Sequence, residues 1–185
     1  MRVPEKADTF FPGADCLLCL AAASMTNNAL TTHTRTLPLD DLNRMKSDVA
    51  EVLRKKGQTV TVIEENIKVA DLPKSQGGPN KSPVDFSSLR TKYGVDKLVM
   101  IDLAQVGMTR AYASYFPTSD PQGVIIGSGY MVNLADNTYE WYLPLRQVKS
   151  AAGKWDEEPN FPGLSNAYFQ AVEATRDAVL QPLSE

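Results

Sequence analysis

The chain has 185 residues, 43 % of them apolar, and a formal net charge of −3. That is enough to bury a core in one domain, and the acidic balance excludes a general nucleic-acid binder, which needs a basic face. No run approaches the ~18 consecutive apolar residues of a membrane span.

Residues 1–12 are polar, carry Pro4 and Pro12, and read as an extended lead-in to a single domain over 13–185. The next segment, "GADCLLCLAAASM", is a continuous apolar run between Pro12-Gly13 and Thr26-Asn27-Asn28. Turn signals on both sides of a short run predict a strand covered on both faces, with a short helix as the alternative. It does not read as a signal-peptide core, because Glu5, Asp8 and Asp15 precede it where basic residues are required. Nor does it read as a lipidation box, because Gly13 and Asp15 precede Cys16 where an apolar and a small residue are needed. An exported parent protein would carry its targeting segment upstream of Met1.

Thr31 to Thr36 is β-branched and polar, which predicts a loop or a short edge strand. Asp40 or Asp41 then caps a helix whose Leu42, Met45, Val49, Val52 and Leu53 share one face, and Gly57 closes it. The Arg54-Lys55-Lys56 run fits that helix end, where cations complement the dipole, better than a phosphate patch. "QTVTVIEENI" alternates Val60 and Val62 with threonines and predicts a strand. Residues 71–82 form a Gly- and Pro-bearing flexible loop, a helix runs from Pro83 towards Gly94, and "KLVMIDLAQVG" is a strong strand. Three further strands follow: "MTRAYASYF", "GVIIGSGYMVNL" and "YEWYLPL". The Ala135–Thr138 turn joins the last two as a hairpin. An irregular acidic link over 149–163 leads to a last helix from Ser165. Its inward stripe is Tyr168, Phe169, Val172, Thr175, Val179 and Leu180, and Pro182 ends it. The order is strand, helix, strand, helix, strand, then hairpin strands and a C-terminal helix. It predicts an α+β chain, an α/β sandwich whose mixed sheet of about five or six strands is covered by three helices.

The chemistry-bearing candidates are few. Cys16 and Cys19 form a Cys-x-x-Cys spacing, which is redox-active when the first thiolate caps a helix that follows a strand. The charges and prolines of residues 4–12 argue against a preceding strand. On a strand the two thiols would point to opposite faces. Two small buried apolar residues are therefore the expectation, with a local disulfide or a redox pair as alternatives. His33, the single histidine, is expected to be a surface residue; one histidine and two cysteines do not make the four ligands of a zinc site. Gly127-Ser128-Gly129 lies inside a strand pattern and suits a bulge or close contact, since neither a dinucleotide fingerprint nor a nucleophile elbow has a strand after it. Asp102 is expected to be a hydrogen-bonded structural acid. Tyr112, Tyr115, Tyr139 and Trp141 are the candidate interaction surface, because strand alternation turns some aromatics to solvent. No catalytic residue, cofactor or metal is expected.

The phrases "FPGADCLLCLAAA", "YGVDKLVMIDL" and "GSGYMVNLADNTYEWY" resemble those of uncharacterised proteobacterial envelope lipoproteins. The order of elements is similar to the TolB N-terminal domain, the periplasmic domain of penicillin-binding-protein activator lipoproteins and the curli-secretion lipoprotein. In those families a helix leads to "G-a-D-hydrophobic" and a strand, here Gly94 to Leu98. A long hairpin then carries an aromatic, here Tyr139 to Trp141. The resemblance implies a periplasmic or outer-membrane-associated domain, lipid-anchored through an upstream cysteine, that binds other envelope proteins without catalysis. In a pathogen, such a protein would meet host antibodies as an antigen. The rival readings are a thiol–disulfide redox protein using Cys16 and Cys19, and a small-ligand carrier with the 71–82 loop as its lid.

Overall fold

The computed structural model describes residues 1–65 and 67–184. The class is α+β, with a mixed four-stranded sheet in the order β1-β2-β5-β6. Its strands are β1 (Asp8–Phe10), β2 (Lys97–Thr109), β5 (Gln122–Asn133) and β6 (Tyr139–Ser150); β1 is parallel to β2 and the other pairs are antiparallel. A small ribbon of β3 (Tyr112–Ala113) and β4 (Phe116–Pro117) interrupts the long β2–β5 connection. "MTRAYASYF" is therefore not one strand but the end of β2 plus this ribbon. The helices are α1 (Leu17–Thr26), α2 (Asn28–Thr34), α3 (Asp40–Lys55), α4 (Ser87–Tyr93) and α5 (Pro162–Ser184).

The main core lies between one face of the sheet and the α3–α5 pair. Ile101, Leu103, Ile125 and Leu145 project from the sheet onto Leu42, Met45 and Val49 of α3 and Tyr168, Val172 and Val179 of α5. Strand alternation turns Leu98, Met100, Tyr130 and Val132 to the opposite face, where Phe86 and Leu89 cover them. Gly129 lets the Trp141 ring lie flat on β5, since a Cβ there would sit 2.7 Å from the ring. This is the close contact expected of the Gly127-Ser128-Gly129 stretch.

Several expectations need correction. "LLCLAAASMT" is helix α1, not a strand, and residues 28–34 continue as helix α2, not an edge strand. The apolar run misled because α1 has almost no polar face, so periodicity carried no helix signal. Within residues 1–12, Asp8–Phe10 is an edge strand integral to the sheet, and Arg2 is bridged to Asp102 on β2. Residues 58–67 form no strand, leaving aside Asn66, which lies outside the described residues; Ile63 and Ile67 instead cap the second core. Residues 71–82 are a pinned loop: Ser75 N–H donates to Pro83, Ser82 N–H to the Asn137 carbonyl, and Tyr139 N–H to the Asn80 carbonyl. In α3 the cap is Leu39 without a side-chain bond, and Val52 and Leu53 are only half-buried. Phe169 is exposed, and Pro182 lies inside α5 instead of ending it.

Candidate functional site

The Cys-x-x-Cys spacing is the feature that the tertiary structure changes most. Parallel strand β1 precedes it, and Phe11 to Asp15 turn the chain into α1. This turn is held by the excursion after β2: Arg110 N–H donates to the Phe10 carbonyl, Tyr112 N–H to Pro12, and Ser114 N–H to Gly13. Gly13 has φ +88°, and a Cβ there would lie 1.9 Å from the Tyr112 carbonyl oxygen, so only glycine fits. The chain thereby delivers Cys16 to the N-cap of α1 in extended geometry.

Cys16 and Cys19 are joined as a disulfide, their Cα atoms 4.9 Å apart. The two sulfurs are not equivalent. Cys19 is 3 % exposed and packs with Ala14, Ala23 and Tyr112, whereas Cys16 is exposed. The Cys16 Sγ accepts the Cys19 backbone N–H at 2.9 Å, so a sulfur does what a serine or aspartate oxygen does at other helix starts. The Tyr115 hydroxyl lies 3.8 Å from Cys16 Sγ, and because a disulfide sulfur carries no hydrogen, the hydroxyl donates. The expectation of two buried strand thiols is thus corrected: one sulfur is interior, the other at the surface.

A buried polar node fixes the other end of α1. Asn27 is 3 % exposed; its amide nitrogen donates to the Ala23 carbonyl at 2.8 Å and to the Tyr112 hydroxyl at 2.6 Å. Its amide oxygen accepts from Arg110 at 3.0 Å, and that guanidinium also donates to the Ser119 carbonyl and lies 4.9 Å from the centre of the Trp155 ring. Burying an amide demands such partners. Cys19, Ala23 and Asn27 are the only fully buried positions between Cys16 and Asn28, at i, i+4 and i+8.

The rest of α1 faces solvent. Leu17 is 89 % exposed, Leu18 72 % and Met25 80 %, and on the ribbon Phe116 is 73 % exposed. No Asp, Glu, Lys or Arg occurs from Cys16 to Thr34. A helix apolar on every side normally belongs to an interior; here only one narrow stripe is covered.

The other candidates scatter. Of the four aromatics, Tyr115 is at the disulfide, Tyr112 is buried beneath it, Tyr139 joins the second core and Trp141 covers the main core, so they do not form one surface. Asp102 pairs with Arg2, as expected of a structural acid. His33 is not a free surface residue: it is half-buried, and its Nε2 is 2.7 Å from Ser165 Oγ, tying α2 to the start of α5. Burial holds its imidazole below the ordinary value. Beside it lies an open cleft of about 530 Å³ bounded by Ala29, Thr32, Asn160 and Phe161, and a second of about 470 Å³ separates α3 from α5 at Asp48, Phe169 and Arg176. Neither is covered by the 71–82 loop. Among the described residues no group of His, Cys, Asp or Glu could hold a metal, and no helix is long and apolar enough to cross a membrane. Compared with protein-family models, curated proteins and solved structures, the chain matches none of them.

Proposed function

We propose that this is a docking domain of an exported bacterial envelope protein, binding an apolar polypeptide segment over the outer face of α1 and the β3–β4 ribbon. The observation that carries it is the uncovered Leu17, Leu18 and Met25 of α1, with exposed Tyr115 set against Cys16 at the start of that helix. Apolar patches of this kind on a folded domain mark interaction sites. The reading needs no cofactor, metal or nucleic acid. It favours a protein over an anionic lipid surface, because a membrane-lying helix uses Lys and Arg on its polar face and α1 has none. A disulfide between Cys16 and Cys19 belongs to an oxidising compartment, which supports periplasmic or outer-membrane-associated placement.

A photo-crosslinking residue at position 18, with one at exposed Arg44 on α3 as control, tests this in envelope extract. The expected result is a discrete adduct from position 18 only, competed away by a soluble apolar peptide. Equal labelling from both positions, or an adduct that the peptide leaves untouched, sinks the proposal.

A further inference from the structure

We infer that the docking face carries an exchange site: the Cys16–Cys19 disulfide accepts electrons from an apolar, cysteine-bearing polypeptide seated on α1. This rests on the docking reading and names the chemistry of its partner. Three separate features meet there. Cys16 is an exposed residue while Cys19 is buried, so an attacking thiolate approaches from the Cys16 side. Cys16 is the N-cap of a ten-residue helix and already accepts the Cys19 N–H, so a thiolate released at Cys16 meets a hydrogen-bond donor and the positive end of the helix dipole. The Tyr115 hydroxyl stands beside the same sulfur as a second donor. A disulfide serving only as a staple gains nothing from one exposed sulfur set within uncovered leucines. It closes a very short loop, the case in which cross-linking stabilises least.

The step balances without another reagent. A partner thiolate attacks Cys16 Sγ, forming a partner–Cys16 bond; the Cys16–Cys19 bond breaks and its electron pair goes to Cys19 Sγ, which takes a proton from solvent. A second partner thiolate then attacks the partner sulfur of that mixed disulfide and releases Cys16 as a thiolate. Two partner thiols are oxidised to one disulfide, and the protein's disulfide is reduced to two thiols. The apolar face supplies selectivity by holding the partner's cysteine next to Cys16, which raises its effective concentration.

The test uses two single-thiol variants, Cys19→Ala and Cys16→Ala, each reacted with oxidised glutathione and with the disulfide dimer of a short apolar peptide bearing one cysteine. Adducts are followed by intact mass. In Cys19→Ala, Cys16 should react with the peptide about tenfold faster than with glutathione, and with either faster than free cysteine does. Leu17→Gln/Leu18→Gln on that background, which adds no charge beside Cys16, should remove the peptide preference. In Cys16→Ala, Cys19 should stay unreactive until denaturant is added. An exchange rate at Cys16 no greater than that of free cysteine, or equal rates for the two variants, overturns the exchange site while leaving the docking face standing. Rapid exchange without peptide preference overturns the docking reading and this assignment of the partner with it. The unsubstituted oxidised protein probes the same step without relying on either variant to fold. Mixed with a reduced apolar peptide carrying two cysteines, then alkylated, it should gain two labels as the peptide loses them. An unlabelled protein overturns the inference.

Discussion

Helices α1 and α3 sit in the same domain and obey opposite rules. In α3, Leu42, Met45 and Val49 form one buried stripe, and charged residues such as Arg44, Lys55 and the first-turn Asp40 and Asp41 take the rest. In α1 the buried stripe is just as narrow, but the remaining surface is mainly leucine, alanine and methionine, with Ser24 and Thr26 its polar members. An amphipathic helix declares that its surroundings are complete: core on one side, water on the other. A helix covered along one narrow stripe with leucine and methionine left in water is the observation on which the docking proposal rests. The chain thus carries one amphipathic helix and one whose uncovered side chains are largely apolar.

The comparison breaks most visibly under a charge. Met45→Asp places an uncompensated carboxylate in a site with 0 % exposure and should cost about 4 kcal/mol or more, enough to lose the cooperative transition in chemical denaturation. Leu18→Asp, on the open face of α1, should stay within about 0.5 kcal/mol of the parent. Comparable losses from both would mean α1 is covered after all. Asn27→Ala should cost about 2 kcal/mol, because it removes one of Arg110's two acceptors and the Asn27 donor to the buried Tyr112 hydroxyl. Hydrogen exchange should then show α1 opening while α3 keeps its protection. Removing the disulfide by Cys16→Ala/Cys19→Ala should cost roughly 1–2 kcal/mol and leave the fold intact, since its loop is short and Asn27 still anchors the far end of α1. A melting curve without a folded baseline would show instead that the disulfide holds α1 in place.

The smallest effect concerns His33, which ties the α2 continuation of α1 to α5. Burial lowers its folded pKa below the ordinary 6.5, so the unfolded chain binds the extra proton more readily. Stability is therefore complete above pH 6.5 and declines as pH falls from there through the lower folded value. The decline should be shallow, because the half-buried ring keeps contact with water, which screens its charge. His33→Gln should flatten it. A slope that persists in that variant would place the titration elsewhere.

Legibility followed the same divide. The α3 stripe, its Gly57 stop, the β5–β6 hairpin with its Ala135–Thr138 turn, and the stripe from Tyr168 through Val179 were readable, because each couples a period to a boundary residue. The described residues of 58–67 alternate like a strand yet form none, because alternation records half-burial and a covering loop can supply that as well as a sheet. The disulfide site was readable as a spacing and misread as to setting. One local signal pointed the right way: "NNALTT" continues the run with neither Gly nor Pro, which a helix tolerates better than a turn between strands.

By itself, the sequence determined that the chain folds as α+β, where the amphipathic helix lies and which strands form the long hairpin, since those follow from local period and turn chemistry. Tertiary structure alone decided that Asp8–Phe10 is a strand, that Cys16 caps a helix, and that its sulfur meets water while Cys19 does not. The physical reason is that β1 exists only by pairing with residues nearly a hundred positions away. Only that pairing, with Gly13 pressed against Tyr112, aims the chain so that one sulfur turns inward and the other out.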